Sequence, residues 1–504
     1  MLLDRCRPVV VSVGIAAAGA CALGCADGHQ AGTPTPTSTM RIGNGAPVQG
    51  QRTTGSSVIV TILSADPWLT NKPDGHPGER IATSWVWDPD GLALHLRIRP
   101  GVLFHDGTPL TSDVAAQALR DAVNGGTTLS LTDATVKSIE PDGADGVVIR
   151  LKERNSFVPS ELTSVTVARP GHKDVGTGPF KIVAREGITT KLAAFPQYYR
   201  GRPALAGIEI TNYPTQRNAW TALMRGDIDM LYEVSRDAAE FVKAETTVRS
   251  YSFPRPYYNS LVFNVRRPVF KDPRVRQAIN QALDREALIR DGMSGRGSVA
   301  DGPVFPQHWA YTKPPRSFAY DPEAARALLD GAGYPIRTES GKAIPFRFTF
   351  RCLAFADDPR FERLEVLLQK QLADVGIEMQ LVPMPMSDMV KRLQSGDFDA
   401  YVFESAGRSL AWVYEFFRSH PGMPADTGYH TADPILDQVK AAQSDAEVKA
   451  AIAELTRVFY DDPPAAFLAW QEQTRAVSTR FDVAPEANRD ILTNLWQWRP
   501  AGAK

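Results

Sequence analysis

His105 and Asp106 stand side by side in "VLFHDGTPL", and a histidine next to a carboxylate could perform acid–base catalysis or bind a metal ion. A nucleophilic mechanism would also need a serine or cysteine for the imidazole to activate, and none lies near the pair. Gly107 follows, and the Asp-Gly sequence is typical of a tight turn. The pair therefore predicts a turn and not a reaction centre.

Other chemical motifs are equally weak. The eight histidines are scattered, with no His-Glu-x-x-His motif and no pair at helical spacing. "VGTGPF" has some likeness to a phosphate-binding loop, but Pro179 and a predicted strand follow where a helix should begin. No Gly-x-Ser-x-Gly motif occurs. We predict that the chain is not an enzyme and carries neither a cofactor nor a resident metal ion.

The length and the charge of the chain limit the number of domains and the kind of binding partner. The chain has 504 residues, with 56 basic and 57 acidic side chains and 43% hydrophobic residues. This length exceeds what a single hydrophobic core usually serves, so it predicts two or three domains. The near-neutral charge provides no field that would attract a polyanion, so nucleic-acid binding is not expected.

An export signal is predicted at the N-terminus, where two arginines precede a short apolar run at 9–23. The run is too short for a membrane span and ends at "ALGC", which looks like a bacterial lipoprotein box. Residues 1–24 would be the signal peptide and Cys25 the lipidated residue; plain secretion, or cleavage near Cys21, is the alternative. Cys352 would then remain alone in the folded part, so no intramolecular disulfide is expected.

The rest of the chain predicts an α/β fold. Residues 25–55 contain a stretch rich in Gly, Pro, Ser and Thr, which predicts a flexible tether. Beyond it, short strands alternate with amphipathic helices. Helix starts are predicted at Thr111, Asp272 and Asp321, the last two each followed by proline, and Gly376 is predicted to end a helix.

Two segments, "ALMRGDIDMLYE" and "RLQSGDFDAYVFE", share one plan. Each runs from a helix end through Gly-Asp-apolar-Asp into a short apolar strand that finishes with an aromatic residue and a glutamate. Ligands of open α/β sheets bind beyond the carboxyl ends of the strands. The repeat therefore predicts that Tyr232 and Glu233 face Phe403 and Glu404 across one cleft; chance similarity of two α/β units is the alternative.

Longer segments carry a family resemblance. "WVWDPDGLALHLRIRPGVLFHDGTPLTSDV", "FPQYYRGRPALAGIEI", "LVFNVRRPVFKDPRVRQAINQALDREALI" and "YDPEAARALLDGAGY" occur in family order, and the match covers most of residues 60–477. The chain resembles the bacterial family 5 extracellular solute-binding proteins, the oligopeptide-, dipeptide- and nickel-type receptors of ABC importers. The resemblance implies a two-lobed periplasmic-binding-protein fold of type II, with a third, accessory domain and two inter-lobe crossings.

The resemblance also implies how the chain divides. Lobe I would comprise residues 56–62, 176–262 and 475–504, its accessory domain residues 63–175, and lobe II residues 263–474. The implied partners are a small solute, the permease subunits of an ABC importer, and the membrane through the lipid anchor. The receptor would be a monomer at the extracytoplasmic face of the cell membrane, in the periplasmic space.

One position departs from the oligopeptide receptors, which place an aspartate for the peptide ammonium shortly after the "GDFD" strand. Alignment on the Phe-Asp pair puts Arg408 there. An ammonium against a guanidinium would cost about 1 kcal/mol in water and more in a closed cleft. Glu404 or Glu233 would then take the ammonium, or the solute lacks one and Arg408 holds a carboxylate or phosphate. A gap in the alignment would instead leave Arg408 on a solvated rim.

The resemblance implies further ligand-binding candidates beside the crossings. Tyr232 matches a cleft tyrosine, and aromatic residues facing a cleft would supply apolar area with few rotatable bonds. Core packing is the alternative, above all for Tyr258 and Trp470. The remaining candidates are Tyr257, Asn259, Phe403, Trp412 and Gln471.

We therefore predict a lipid-anchored receptor that closes by hinge motion over oligopeptides or peptide-like solutes and delivers them to an ABC importer. A non-transport cell-envelope lipoprotein with the same fold is one alternative. A receptor for an anionic, metal-chelate or sugar-type solute is another.

Overall fold

The computed structural model describes residues 38–45, 55–338, 345–356, 359–419 and 425–502. The predicted signal peptide and Cys25 lie outside these residues. Within them, none of the helices combines the length and the apolar character that crossing a bilayer requires.

Strands and helices alternate along the described chain, which confirms the α/β prediction. The strands are β1 Thr39–Gly45, β2 Leu69–Asn71, β3 Pro77–Glu79, β4 Ala82–Trp87, β5 Ala93–Ile98, β6 Val136–Pro141, β7 Gly146–Leu151, β8 Ala168–Arg169, β9 His172–Gly176, β10 Phe180–Glu186, β11 Thr189–Ala194, β12 Gly207–Tyr213, β13 Met230–Leu231, β14 Val248–Phe263, β15 Gly297–Val299, β16 Phe348–Phe355, β17 Ile377–Met384, β18 Ala400–Ala406, β19 Ala465–Ser478, β20 Phe481–Asp482 and β21 Arg499–Pro500. The helices are α1 Gly55–Ser64, α2 Ser112–Asn124, α3 Val158–Glu161, α4 Gln216–Met224, α5 Arg236–Ala244, α6 Pro268–Lys271, α7 Pro273–Gln281, α8 Arg285–Ala287, α9 Pro322–Gly331, α10 Pro359–Ala373, α11 Met386–Gln394, α12 Leu410–Phe417, α13 Asp433–Ala441 and α14 Asp445–Asp461.

The main sheet has the strand order β10-β11-β12-β1-β13-β19-β14-β18-β16-β17, with β15 against β19. β14 and β19 are its longest strands, with 16 and 14 residues, and they pair with each other along most of their length. β19 also pairs with β13 on one side of the sheet, and β14 also pairs with β18 on the other side. β14 and β19 are therefore the two crossings between the lobes.

β1 overturns part of the predicted tether. Thr39–Gly45 pairs in parallel with β12 and β13, and Met40 and Ile42 are fully buried. The expectation that residues 25–55 form a tether, with lobe I starting at 56, is wrong for this strand. The strand ends in Gly-Asn-Gly, residue types that are depleted in strands. Gly43 leaves room for Ile228, because a Cβ there would lie 2.3 Å from Ile228 Cδ1 and that side chain would have to move.

A smaller antiparallel sheet, with the order β4-β5-β7-β6, packs against α2. α2 begins where predicted, since Thr111 Oγ1 accepts a hydrogen bond from the Val114 amide at 3.4 Å. Residues 63–175, which hold this sheet, are called the accessory domain below, and residues 263–474 lobe II. Both sets of boundaries remain predictions.

The pair at His105 is architectural. His105 Nε2 lies 3.0 Å from the Gly178 carbonyl, and its ring contacts Phe195 edge-on at 5.2 Å. Burial lowers the pKa of the imidazole, which favours the neutral form. Asp106 accepts the Thr108 amide in the predicted turn and pairs with Arg169 at 2.7 Å. The two side chains hold the turn and its neighbours in place.

The helix signals of the second half also hold. The Asp272 and Asp321 side chains cap α7 and α9, and a proline opens each helix. Gly376, after α10, has φ +84°, the left-handed conformation that glycine allows. One hydrophobic core then covers both faces of β16 and β18.

Candidate ligand-binding site

The two repeated segments occupy equivalent places in the two halves of the sheet. Each follows a helix, α4 or α11, through a glycine with positive φ, Gly226 or Gly396. The second aspartate of each segment then accepts a backbone N–H from a neighbouring parallel strand. Asp229 accepts from Arg41 and Asp399 from Arg351, both at 2.9 Å.

The strands that follow run toward each other. β13 is antiparallel to β19 and starts near its lobe I end, where Met230 pairs with Val477. β18 is antiparallel to β14 and starts at its lobe II end, where Ala400 pairs with Phe263. The carboxyl ends of β13 and β18 therefore both point at the middle of the crossings, which is where solute would bridge the lobes.

A polar cluster occupies this middle. The Gln471 side-chain amide accepts a hydrogen bond from Arg255 Nη1 at 2.8 Å. Its nitrogen donates to Glu404 and, at 3.3 Å, to Asn259 Oδ1. The Arg255 guanidinium also lies over the Tyr257 ring, with Cζ 4.5 Å from the centroid. Four of the predicted candidates thus come together, and Arg255 joins them.

A β-bulge positions the cluster. The register of β14 against β19 shifts between Arg255, opposite Gln471, and Tyr258, opposite Trp470. Two residues on β14 therefore have no counterpart on β19, and the strand is redirected at this point. The sequence analysis missed Arg255; the one available signal was its place in "FPRPYYN", between two prolines that weaken strand pairing.

Tyr232 and Glu233 lie on the lobe I side of the crossings. The Arg475 guanidinium lies over the Tyr232 ring, with Cζ 3.8 Å from the ring centroid, and it donates a hydrogen bond to the Tyr232 carbonyl. Arg475 is buried and makes two hydrogen bonds to Asp490, at 3.0 and 2.6 Å. Tyr232 and Glu233 are half-buried just after β13.

Tyr258 and Trp470 belong to the core, and Phe403 is partly buried against it. Tyr258 and Trp470 are each 1% exposed, with rings 5.0 Å apart, and burial raises the pKa of the Tyr258 hydroxyl. Phe403 stacks on Phe416 at 5.9 Å, on the strand face opposite Glu404. The structure therefore favours the core-packing alternative for these three residues.

Arg408 and Trp412 lie beyond the end of β18. Arg408 is exposed, and its Nη2 lies 3.4 Å from Ser164 Oγ in the accessory domain. Trp412 is half-buried on α12. Arg408 thus reaches across to the accessory domain and does not join the Gln471 cluster.

A separate cavity of about 680 Å³ lies between the accessory domain and lobe II. Three indoles, Trp85, Trp87 and Trp309, form part of its wall, and Leu410 lines it on the lobe II side. None of the sequence-predicted ligand-binding residues is among those that line it. Across the described ranges, no group of three or more His, Cys, Asp or Glu side chains could hold a metal ion.

Residues 76–420 match the family model of the bacterial extracellular solute-binding proteins, family 5 Middle. The chain belongs to this family. It is 26% identical over 447 residues to the oligopeptide-binding protein AppA of Bacillus subtilis (strain 168), an alignment that covers 81% of each chain. It is also 26% identical over 372 residues to Heme-binding protein A of Haemophilus influenzae, with 65% of each chain covered.

Solved family 5 structures have the same fold. AppA from Bacillus subtilis in complex with a nonapeptide superposes with a TM-score of 0.74 at 23% identity, covering 93% of this chain and 100% of AppA. NikA from Brucella suis in complex with Fe(III)-EDTA gives 0.79 at 19% identity, with 91% and 99% covered. The predicted two-lobed type II fold is confirmed. The chain is an extracytoplasmic solute-binding receptor of the ABC-importer type and not an enzyme.

Proposed function

We propose that this family 5 protein captures peptides or peptide-like solutes for an ABC permease. In this proposal it is anchored by lipid at Cys25 and acts as a monomer on the outer face of the cell membrane. The accessory domain and lobe I move together as one body, and lobe II moves as the other. The solute contacts both bodies and shifts the equilibrium toward the closed form, because it makes contacts there that the open form lacks.

The Gln471 cluster is the observation that carries the proposal. It presents an anionic acceptor, Glu404, and a cationic donor, Arg255, on either side of one amide. A peptide-like solute carries the matching groups, an ammonium and a carboxylate, together with backbone amides for Asn259 and Gln471. The half-buried Tyr257 adds an aromatic face beside them.

A solute with an anionic group and no ammonium is the second candidate, and the arginines favour it. Among the described residues, neither Arg255 nor Arg408 forms a salt bridge. Guanidinium groups without a carboxylate partner suit a carboxylate or phosphate on the solute. The non-transport alternative predicts no tight solute at all.

Native mass spectrometry of freshly purified protein tests these candidates, since tightly bound solute survives gentle purification. A mixture of co-purified peptides is the expected result. A single anionic species would favour the second candidate. If no solute co-purified and a peptide library gave no thermal stabilisation, the transport proposal would be wrong. Saturation at one hundred times Kd should add about 2.7 kcal/mol to the free energy of unfolding.

A further inference from the structure

A hairpin turn of the accessory domain packs tightly against lobe II. In this turn, between β2 and β3, the carbonyl of Asp74 accepts the Trp309 amide N–H at 2.6 Å. The His76 ring stacks on the Trp309 indole, with centroids 4.7 Å apart and planes 15° apart. The fit is close, because a Cβ on Gly75 would lie 2.9 Å from His308 Cδ2.

Both ring nitrogens of His76 face carboxylates. Nδ1 lies 2.9 Å from Asp74 Oδ2, and Nε2 lies 3.1 Å from Asp445 Oδ2, in the first turn of α14. An ionised carboxylate only accepts hydrogen bonds, and a neutral imidazole donates from one nitrogen only. Both contacts are therefore hydrogen bonds only when the ring is protonated. Asp74 is in the accessory domain and Asp445 in lobe II, so the second contact crosses the interface.

We propose that His76 is a proton-dependent latch that holds the accessory domain against lobe II in the closed form. This inference rests on the hinge closure proposed above. Protonation supplies the second donor and adds a positive charge between two carboxylates, so it favours closure. The advantage is lost as pH rises through the range, about 5 to 8, in which histidines lose their proton.

Other ionisable groups also face this turn and the adjacent cavity. The buried His308 faces the same turn, and burial, reinforced by the charge of His76, lowers its pKa to about 4, so it stays neutral. The hydrogen bond from His76 lowers the pKa of Asp74, which keeps that carboxylate ionised. The other charged side chains that line the adjacent cavity are Lys72, Asp88 and Arg154.

The accessory domain contains a matched control. His95 is also bracketed by two aspartates, with Nδ1 2.8 Å from Asp142 and Nε2 3.3 Å from Asp88. All three residues lie in the accessory domain, so a proton on His95 makes no contact with lobe II. His95→Gln therefore removes the same chemistry without touching the interface, whereas His76→Gln removes the crossing contact.

Single-molecule energy transfer on the ligand-free chain tests the latch. The dyes go on Lys137→Cys of the accessory domain and Lys449→Cys of α14, both exposed positions. The native Cys352 is buried and will not compete for the dyes. The other native cysteines are replaced by serine: Cys6, Cys21 and Cys25.

When the pH is lowered from 8 to 5.5, the ratio of closed to open molecules should rise about two- to fivefold. This is the change that the free energy of one exposed ion pair would produce. His95→Gln should keep this rise and His76→Gln should lose it. An unchanged ratio in the parent chain, or an undiminished rise in His76→Gln, would overturn the latch. If the peptide library closes the molecule at pH 8 while lowering the pH does not, only the latch is wrong. If neither treatment closes it, hinge closure itself is wrong.

Discussion

Gln471 on one crossing strand donates a hydrogen bond to Glu404 at the end of β18, reaching over β14, which lies between them in the sheet. The bond links β19, the crossing that returns to lobe I, to the end of β18, which points toward lobe I. Glu404 is thereby held in place while it remains half-buried and able to meet a solute. The predictions below test this site and the scaffold around it.

Glu404→Gln should weaken binding of peptides with a free N-terminus. The change removes the charge and keeps an acceptor for Gln471, so the loss should be that of one charge-assisted hydrogen bond, about 10- to 100-fold in Kd. Titration calorimetry with free and N-acetylated peptides measures it. Glu240→Gln on the exposed face of α5 is the control. An equal loss for acetylated peptides would show that Glu404 does not bind the ammonium.

Arg408→Asp should strengthen binding of the same peptides, by about two- to tenfold, because it replaces repulsion of the ammonium by attraction. Ser164→Ala removes the contact of Arg408 with the accessory domain and keeps the charge, so it should change Kd little. Ligand-induced shifts in melting temperature report both variants. Identical shifts for Arg408→Asp and the parent chain would place Arg408 outside the pocket.

Gly407→Ala should destabilise the protein by about 1–3 kcal/mol and weaken solute binding. A Cβ at this position would lie 2.3 Å from Trp470 Cη2 and 2.5 Å from the Pro303 carbonyl, so the end of β18 must move and carry Glu404 with it. Gly302→Ala is the matched control, since its Cβ would meet nothing within 4 Å. Calorimetric melting and solute titration of both variants would separate them. Parent-like values for Gly407→Ala would refute this packing argument.

Arg80→Met should cost about 3–5 kcal/mol at pH 7, because it leaves the buried Asp66 without its partner at 3.2 Å. Burial raises the pKa of Asp66, and the Arg80 charge opposes that rise. Without Arg80, the folded state binds the Asp66 proton more tightly than the unfolded state does. The variant should therefore lose stability as pH rises, and its deficit should shrink toward pH 5.

Urea unfolding followed by tryptophan fluorescence at pH 5 and 7 measures that deficit. Arg97→Met breaks the exposed pair with Asp145, at 3.2 Å, and should cost less than about 1 kcal/mol at either pH. A deficit for Arg80→Met that is equal at both pH values would mean that Asp66 does not titrate in the variant.

Local signals in the sequence predicted the elements that position the site. Thr111, Asp272 and Asp321 cap their helices as expected, and the Gly-Asp-apolar-Asp repeats lead into parallel strands in both halves. Such signals can be found because each depends on residues within a few positions of one another. The family resemblance added the crossings, and thus the region where Asn259, Glu404 and Gln471 meet.

Tertiary structure alone decided which side chains meet. Arg255 entered the site through a register shift between two strands more than two hundred positions apart in the chain, and His76 faces Asp445 across the accessory interface. β1 gained its place by pairing with β12 and β13, although it ends in Gly-Asn-Gly, residue types that are depleted in strands. Neighbouring residues determine propensity and caps, whereas the register of distant strands depends on how the whole core packs. That is why the sequence determined the scaffold and the direction of the strand ends, and only the folded chain determined the contacts at the site.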